Sequence, residues 1–369
     1  MTLRMSVEPQ KRSQTSFPDD RSAAGELTPS QRGEAVANQV PVHQPSAPLP
    51  VEIGLTASIV AVAGTDAVEP MSLVTPPPVL EGEAVLPTGL FDPVAHRTFE
   101  IGLRSWVAEQ TGVPLGYVEQ LYTFGDRGRH ARAGDRNPHM VSIGYLALTR
   151  VGIMERGDHR GAGFRSWYSF FPWEDWRAGR PAVLDTVMLP HLQAWADAAP
   201  AMASSGQGMT RAERVRLLFG LDGAPFDDEN VLERYECLYE AGLIAEARRD
   251  GRAGPDGIPA LGDPMRFDHR RILATAMGRL RAKMKYRPVI FELMPDVFTL
   301  TALQRTVEAI SGRHLHKQNF RRLVETAAVV EPTGDISHAT GGRPAALYRF
   351  RRDVLQERPA PGLRVGLRG

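Results

Sequence analysis

The chain has 369 residues, of which 42% are hydrophobic and 24% charged, and its formal net charge is only +1 at pH 7. This length accommodates two domains, and the composition is typical of globular proteins. The sequence contains neither the roughly 18 to 20 consecutive apolar residues of a membrane span nor the apolar core of a secretion signal. We therefore expect a cytoplasmic protein with no membrane partner. Cys237 is the only cysteine, which excludes an internal disulfide and a cysteine-based zinc site.

The first 48 residues are rich in Ser, Gln, Pro and charged side chains, which predicts a disordered tail. Order is expected from residue 49, where the β-branched run 51–62 predicts a strand and 79–86 a second one. A helix is predicted over 96–112, with Phe99, Leu103, Trp106 and Val107 on one side. Two further strands are predicted over 117–124 and 139–148. This mixture predicts an α/β domain, or more loosely an α+β domain, over residues 49–205.

Arginines are frequent in the loop between the last two of these strands. A guanidinium group matches the oxygens of a phosphate group, so this loop is a candidate effector site; the alternative is an ordinary solvated loop. The candidate residues are Arg127, Arg129, Arg132 and Arg136.

The stretch 165–176 is the most aromatic part of the chain. Trp167 and Tyr168 could stack on a nucleotide base, as aromatic side chains do. Positions in the core or in a dimer interface are the favoured alternative for them.

A helical insert and linker is predicted over 206–264, followed by a long connecting helix over 265–286. Ile272, Leu273, Ala276, Leu280 and Met284 recur at helical spacing and predict its buried stripe. Its basic residues are expected on the other sides: Arg270, Arg271, Arg279, Arg281, Lys283 and Lys285. The helix could relay a domain movement or act as a spacer.

The C-terminal part of the chain is strongly basic, although the whole chain is nearly neutral. Residues 266–369 hold 20 of the 44 Lys and Arg residues but only 9 of the 43 Asp and Glu residues. A basic domain of this kind favours nucleic acid as the partner.

Within this basic part, residues 287–356 predict a winged helix-turn-helix, with a short tail over 357–369. Thr301 is the predicted N-cap of the first helix, with Gln304 completing a capping box. Gly312 is expected to end that helix in a left-handed conformation. The second helix has an apolar side and a polar, basic side. Two apolar runs around a Gly-rich loop predict the wing, with Arg343 and Pro344 at its end.

These elements predict contacts with double-stranded DNA. We expect Lys317, Gln318, Arg321 and Arg322 in or beside the major groove, where the Gln318 amide can pair with adenine; Asn319 belongs to the same face. Arg343 is expected in the minor groove. The predicted phosphate contacts are Thr299, Thr301 and Arg313. The alternative is a winged helix that contacts only protein.

Several of these segments resemble known families. The segments 86–91, 109–113 and 117–126 look like parts of a Nudix domain. The block that includes Phe267-Asp-His-Arg-Arg, Asn319-Phe-Arg-Arg and Gly342-Arg-Pro-Ala resembles the Nudix-related transcriptional regulators of NAD metabolism, the NrtR-like family, and the long insert resembles its NadQ-like branch. The resemblance implies a homodimeric repressor of NAD biosynthesis genes that senses NAD, ADP-ribose or ATP and requires no cofactor.

The sequence departs from the Nudix catalytic box. Ser105, Trp106, Glu109 and Gln110 stand where the box has one Arg and three Glu, and the interval from Gly89 to Gly112 is two residues too long. Magnesium needs such carboxylates, so we expect a degenerate Nudix domain with no catalytic residue and no metal site. The alternatives are a Nudix hydrolase with an accessory DNA-binding domain, and a ligand-binding adaptor whose winged helix contacts protein.

Overall fold

A strand of 13 residues, β1 (Val51–Ala63), is the centre of the sheet in the computed structural model. It runs parallel to β5 (His139–Leu148), with Val51 opposite His139 and Val60 opposite Leu148. All other pairings in this sheet are antiparallel. The sheet order is β4-β5-β1-β2-β6, and β3 also pairs with β1. The remaining strands are β2 (Glu69–Val74), β3 (Thr88–Leu90), β4 (Val118–Phe124) and β6 (Gly163–Ser166).

The structure describes residues 50–64, 68–75, 83–126, 138–150, 162–198, 208–337 and 344–364. These residues belong to one compact unit, Leu49–Gly369. The predicted N-terminal tail, Arg127, Arg129, Arg132, Arg136 and Arg343 lie outside the described residues.

The two faces of the sheet pack against different layers, because successive side chains of a strand point to opposite faces. Leu55, Ala57 and Ile59 of β1 face α1 (Phe99–Thr111), which contributes Leu103 and Val107 to that core. Val60 and Val62 face the helices that follow later in the chain. The mixed α/β arrangement confirms the predicted class of the N-terminal domain.

The predicted strand over 79–86 is wrong for its described part. Ala84 and Val85 make only isolated bridges, to Met265 and Thr75 respectively. Consecutive residues there pair with two different segments, at Met265 and at Thr75, so no continuous ladder of hydrogen bonds forms with either one. The sequence did not predict the short strands β2, β3 and β6. It did predict β1, β4 and β5.

The second half of the unit is mainly helical. It contains two 3-10 helices, Pro172–Glu174 and Val289–Glu292. A π-helical turn, Leu184–Met188, leads into the α-helix that begins at Leu189. The α-helices are α2 (Trp167–Phe170), α3 (Leu189–Asp197), α4 (Arg211–Leu218), α5 (Val231–Glu240), α6 (Ala245–Arg249) and α7 (His269–Met284).

Helix α7 is the predicted connecting helix, and all five predicted stripe residues are buried. The prediction that its arginines all face outward is wrong, because Arg270 and Arg281 are buried as well. Arg270 donates to Glu246 Oε2 at 3.1 Å, and Arg281 is paired as described below. A buried guanidinium group needs such partners.

The C-terminal region has the predicted helix-turn-helix followed by a wing. Its elements are β7 (Phe298–Thr299), α8 (Leu300–Ser311), α9 (Lys317–Ala327), β8 (Val330–Ser337), β9 (Ala345–Phe350) and α10 (Val354–Glu357). The three strands form a separate sheet in the order β7-β9-β8.

The predicted N-cap of α8 is wrong by two residues. The Thr299 hydroxyl accepts from the Ala302 amide at 3.1 Å, so Thr299 is the N-cap and Thr301 lies in the first turn. Gly312 ends the helix with φ 70°, as predicted.

One apolar core extends across the domain boundaries that the sequence predicted at residues 206, 265 and 287. It includes Val60 of the sheet, Leu238 of α5, Ile272 of α7 and Ile310 of α8. Within the described ranges, no helix combines the length and apolarity that a membrane crossing requires.

Candidate functional site

The exposed side of α9 carries the residues that the sequence predicted to face DNA. Phe320 and Val324 of this helix are buried against the winged-helix core, so the opposite side faces solvent. The exposed residues of α9 are Lys317, Gln318, Asn319, Arg321, Arg322, Glu325 and Thr326. Arg322 Nη2 lies 3.5 Å from Asn319 Oδ1, and the other cations of this face remain available to an anionic partner. The contacts with DNA themselves stay predictions.

The turn before α9 is fixed by two side chains of α8. Glu308 Oε1 accepts from the Leu315 amide at 2.8 Å, and Gln304 Nε2 donates to the Leu315 carbonyl at 2.8 Å. Gln304 also donates to Glu308 at 3.0 Å. Gln304 therefore bridges the turn, whereas the sequence predicted it in a capping box. These bonds set the direction in which α9 leaves the turn.

The predicted phosphate contacts lie in different surroundings. Thr299 is half-buried with its hydroxyl engaged as the N-cap, and Thr301 is exposed. Arg313 is turned inward: its guanidinium carbon lies 4.8 Å from the Phe226 ring centroid and 5.7 Å from that of Trp176. Partial burial lowers its pKa. A phosphate contact by Arg313 stays a prediction that requires this side chain to leave the Phe226 ring.

Of the predicted effector residues, Trp167 and Tyr168 lie within the described residues, and both are buried. Trp167 is in the main apolar core, and the Tyr168 hydroxyl donates to the Ala309 carbonyl at 2.6 Å. Burial raises the Tyr168 pKa. This placement corresponds to the core alternative, because neither ring offers an open face. Base stacking by these two residues is untested.

A buried carboxylate joins the winged helix to the rest of the unit. Glu174 Oε1 accepts from Arg234 Nε at 2.6 Å, and Glu174 Oε2 accepts from Arg281 Nη1 at 2.7 Å. All three side chains are 0 or 1% exposed. The Arg281 Nε atom donates to the Ile310 carbonyl of α8 at 2.9 Å. We call Glu174, Arg234 and Arg281 the charged junction.

The charged junction lies beside the C-terminus of α8, where carbonyl groups have no partner within the helix. Three donors from other elements bind there. The Tyr168 hydroxyl binds the Ala309 carbonyl, Arg281 binds that of Ile310, and the Trp176 amide binds that of Gly312 at 2.7 Å. The turn that positions α9 is thus held directly by the aromatic segment and by α7.

Sequence reasoning missed the charged junction, although signals for it were present. Arg270, Met277, Arg281 and Met284 follow helical spacing along one side of α7, so two arginines belong to the apolar stripe. Glu174 stands between Trp173 and Trp176 in an aromatic run, where an acidic residue needs a buried partner.

The residues aligned with the Nudix box hold β3 in place. Gln110 Oε1 accepts from the Thr88 amide at 3.2 Å, its Nε2 donates to the Thr88 carbonyl at 2.5 Å, and Trp106 Nε1 donates to the Leu90 carbonyl at 2.8 Å. Both side chains are neutral and are bound to the backbone of β3.

Among the described residues, the grouped carboxylates with metal-ligand spacing are Asp227, Asp228 and Glu229, far from this box in the sequence. Lys285 Nζ pairs with Asp228 at 3.0 Å and with Glu229 at 2.6 Å. These ion pairs engage two of the three carboxylates, and Asp227 Oδ1 accepts from the Glu229 amide at 3.0 Å.

The model of the NrtR DNA-binding winged helix domain matches residues 290–350, which includes the turn, α9 and both long strands of the wing. This region is similar to the winged helix domain of NrtR proteins. The match confirms the predicted resemblance to Nudix-related regulators of the NrtR type.

A curated relative has a similar sequence. The chain is 48% identical over 84 residues to the ADPR responsive transcriptional repressor NtrR of Acinetobacter baylyi. The match covers 23% of this chain and a third of the repressor's length.

Two solved structures are similar to larger parts of the chain. Shewanella oneidensis NrtR in complex with a 27mer DNA is 19% identical and aligns over 82% of this chain and 95% of its own, with a TM-score of 0.46. A MutT/nudix family protein from Enterococcus faecalis is 13% identical over 84% of this chain and 89% of its own, also with a TM-score of 0.46.

Proposed function

We propose that this protein is a DNA-binding transcriptional repressor whose α/β domain senses an NAD-related nucleotide. The observation that carries the proposal is the exposed side of α9, with three cations and two side-chain amides, inside a region that matches the NrtR winged helix model. Lysine and arginine contribute salt-dependent affinity for phosphates, and glutamine or asparagine amides can read adenine.

ADP-ribose is the proposed effector, because the relative from Acinetobacter baylyi is named as an ADPR responsive repressor. NAD and ATP are the other candidates from the resemblance. The proposed targets are NAD biosynthesis genes, and the proposed assembly is a homodimer, since two recognition helices suit a palindromic operator.

We propose further that the α/β domain is not a hydrolase and requires no cofactor. Trp106 and Gln110 replace carboxylates of the Nudix box, and both are engaged with β3. Metal-assisted hydrolysis of a diphosphate needs a converging set of carboxylates. Incubation of the full chain with ADP-ribose and Mg²⁺ tests this point. Catalytic turnover would support the Nudix hydrolase alternative.

DNA binding is tested by fluorescence anisotropy of the full chain on the promoter DNA of the organism's own NAD biosynthesis genes. We expect specific binding that ADP-ribose alters and that weakens with salt. The Arg321→Ala variant should reduce the slope of log K against log salt by about 0.9 if Arg321 contacts a phosphate. The matched control is Arg279→Ala, an exposed arginine of α7 away from α9, which should leave the slope unchanged. Equal binding to promoter and unrelated DNA would contradict the repressor function.

A further inference from the structure

A groove of about 620 Å³ lies where three parts of the unit meet. Tyr117 and Arg150 border it from the chain just before β4 and just after β5. Lys283 and Arg287 border it from the end of α7 and the segment after it, and Arg352 from the segment after β9. The volume is within the range of about 300 to 1,000 Å³ that is typical of small-molecule sites. Trp167 and Tyr168, the two predicted effector residues that the structure describes, do not line this groove.

Most of the charged side chains that line the groove are basic. It includes five cations, Arg150, Lys283, Arg287, Arg349 and Arg352, but only two acids, Glu292 and Asp296. Three of the cations are neutralised: Arg150 by Asp296 at 2.8 Å, Lys283 by Glu119 at 2.6 Å and Arg349 by Glu331 at 2.6 Å.

Arg287 and Arg352 are the two remaining cations of the groove. Both are exposed, and neither forms a side-chain hydrogen bond or an ion pair with another residue in the described part of the chain. A guanidinium group presents parallel N–H donors that match two oxygens of one phosphate group. The groove therefore offers two available arginines to an anion.

The remaining wall of the groove is apolar and rigid. The ring of Phe291 stacks on that of Phe350 at 4.5 Å and on that of Phe298 at 5.7 Å. Leu355, at 52% exposure, adds an apolar side chain that is open to solvent. Phe291 and Phe298 are buried and stacked, so a base would meet their edges and the open Leu355 side chain. A purely inorganic anion would leave this apolar wall unused.

We propose that this groove is a second ligand site, separate from the effector site in the α/β domain, and that it takes a nucleoside monophosphate. Arg287 and Arg352 bind the phosphate group, and the apolar wall with Leu355 takes the base. Because the lining belongs to both the sheet and the winged helix domain, the ligand stabilises the arrangement of these two parts. If the ligand changes the affinity of the protein for DNA, then DNA must change the affinity of the protein for the ligand by the same factor.

The test is a calorimetric titration of AMP into the full chain, with and without saturating ADP-ribose. We expect AMP to bind in both cases. The Arg287→Ala and Arg352→Ala variants should each weaken AMP binding about tenfold or more, because each loses a charge-assisted hydrogen bond. The Glu292→Gln variant should tighten it, since it removes an exposed negative charge from the lining. Arg279→Ala is the matched control and should leave the affinity unchanged.

Four outcomes would overturn the proposal. AMP does not bind to the full chain, or the two arginine variants bind AMP as tightly as the control does. The other two are that ADP-ribose competes with AMP, or that ribose 5-phosphate or inorganic phosphate binds as tightly as AMP. The titration contains no DNA. If the repressor function is wrong, the AMP titration is still interpretable. If AMP does not bind in the groove, the anisotropy measurement of DNA binding is still interpretable.

Discussion

At the residue scale, Glu174 joins three parts of the molecule, because it accepts hydrogen bonds from both Arg234 and Arg281. Burial raises the pKa of its carboxyl group, but Arg234 and Arg281 lower it more, so the pKa lies below its ordinary value of 4.5. The unfolded chain takes up this proton first as the pH falls. The contribution of Glu174 to stability is therefore complete above about pH 4.5 and is lost as the pH falls through the folded-state pKa.

The Glu174→Gln substitution leaves two buried guanidinium groups without their counter-charge. We expect the free energy of unfolding at pH 7 to fall by about 3 to 5 kcal/mol, measured by urea denaturation. Part of the acid-induced loss of stability should disappear in this variant, because the titrating group is gone. Glu331→Gln is the control, since its ion pair with Arg349 is exposed and should contribute less than about 1 kcal/mol. Similar losses in both variants would show that the charged junction has no special role.

At the scale of elements, the helix-turn-helix depends on the end of α8. Gly312 has φ 70°, and a Cβ atom there would lie 2.4 Å from the Glu174 carbonyl oxygen and 3.0 Å from the Tyr168 hydroxyl. The carbonyl belongs to the backbone and cannot move aside independently. Gly312 is therefore required both by its conformation and by the close approach of the 3-10 turn Pro172–Glu174.

Two glycine substitutions separate these requirements. Gly334 has φ 90° but open space around it, so Gly334→Ala should cost only the backbone strain, about 1 to 2 kcal/mol. Gly312→Ala adds the steric conflict, which we expect to cost about 1 to 3 kcal/mol more. Gly312→Ala should also weaken binding of promoter DNA, because α9 leaves the turn in a different direction. Urea denaturation and fluorescence anisotropy measure the two effects, and equal stabilities of the two variants would contradict the steric role.

At the scale of the whole molecule, the continuous apolar core and the charged junction predict cooperative unfolding. All five tryptophans precede residue 200, so their fluorescence reports mainly on the α/β and helical parts, with Trp176 alone of those described above at the contact with Gly312 and Arg313. Hydrogen exchange of α8 amides reports on that domain. In urea, the two probes should give coincident midpoints for the unsubstituted chain.

Glu174→Gln should separate the two transitions, and α8 should lose its protection first. Without the Glu174 carboxylate, Arg281 is no longer fixed against the Ile310 carbonyl. Only the hydrogen bonds from Tyr168 and Trp176 then hold the C-terminal end of α8. Separate midpoints in the unsubstituted chain would show that the winged helix domain folds independently of the core.

The sequence by itself determined those elements whose pattern is local. The β-branched run 51–62 and the apolar run 139–148 predicted the two central strands, and helical spacing with a glycine at position 312 predicted the helix-turn-helix. The exposed residues of α9 followed from the same periodicity, because burial of Phe320 and Val324 fixes the opposite side. Element ends were less accurate, since Thr299 and Thr301 are both able to cap a helix and only the observed backbone distinguishes them.

Only the tertiary structure decided which charges are buried together. Glu174 meets Arg234 and Arg281 across sequence separations of 60 and 107 residues, and no local pattern encodes such a pairing. The short strands β2, β3 and β6 depend likewise on partners elsewhere in the chain. The same holds for the groove with Arg287 and Arg352, whose wall combines three distant segments. Periodicity specifies which side of an element is buried, whereas packing between elements specifies what that side contacts.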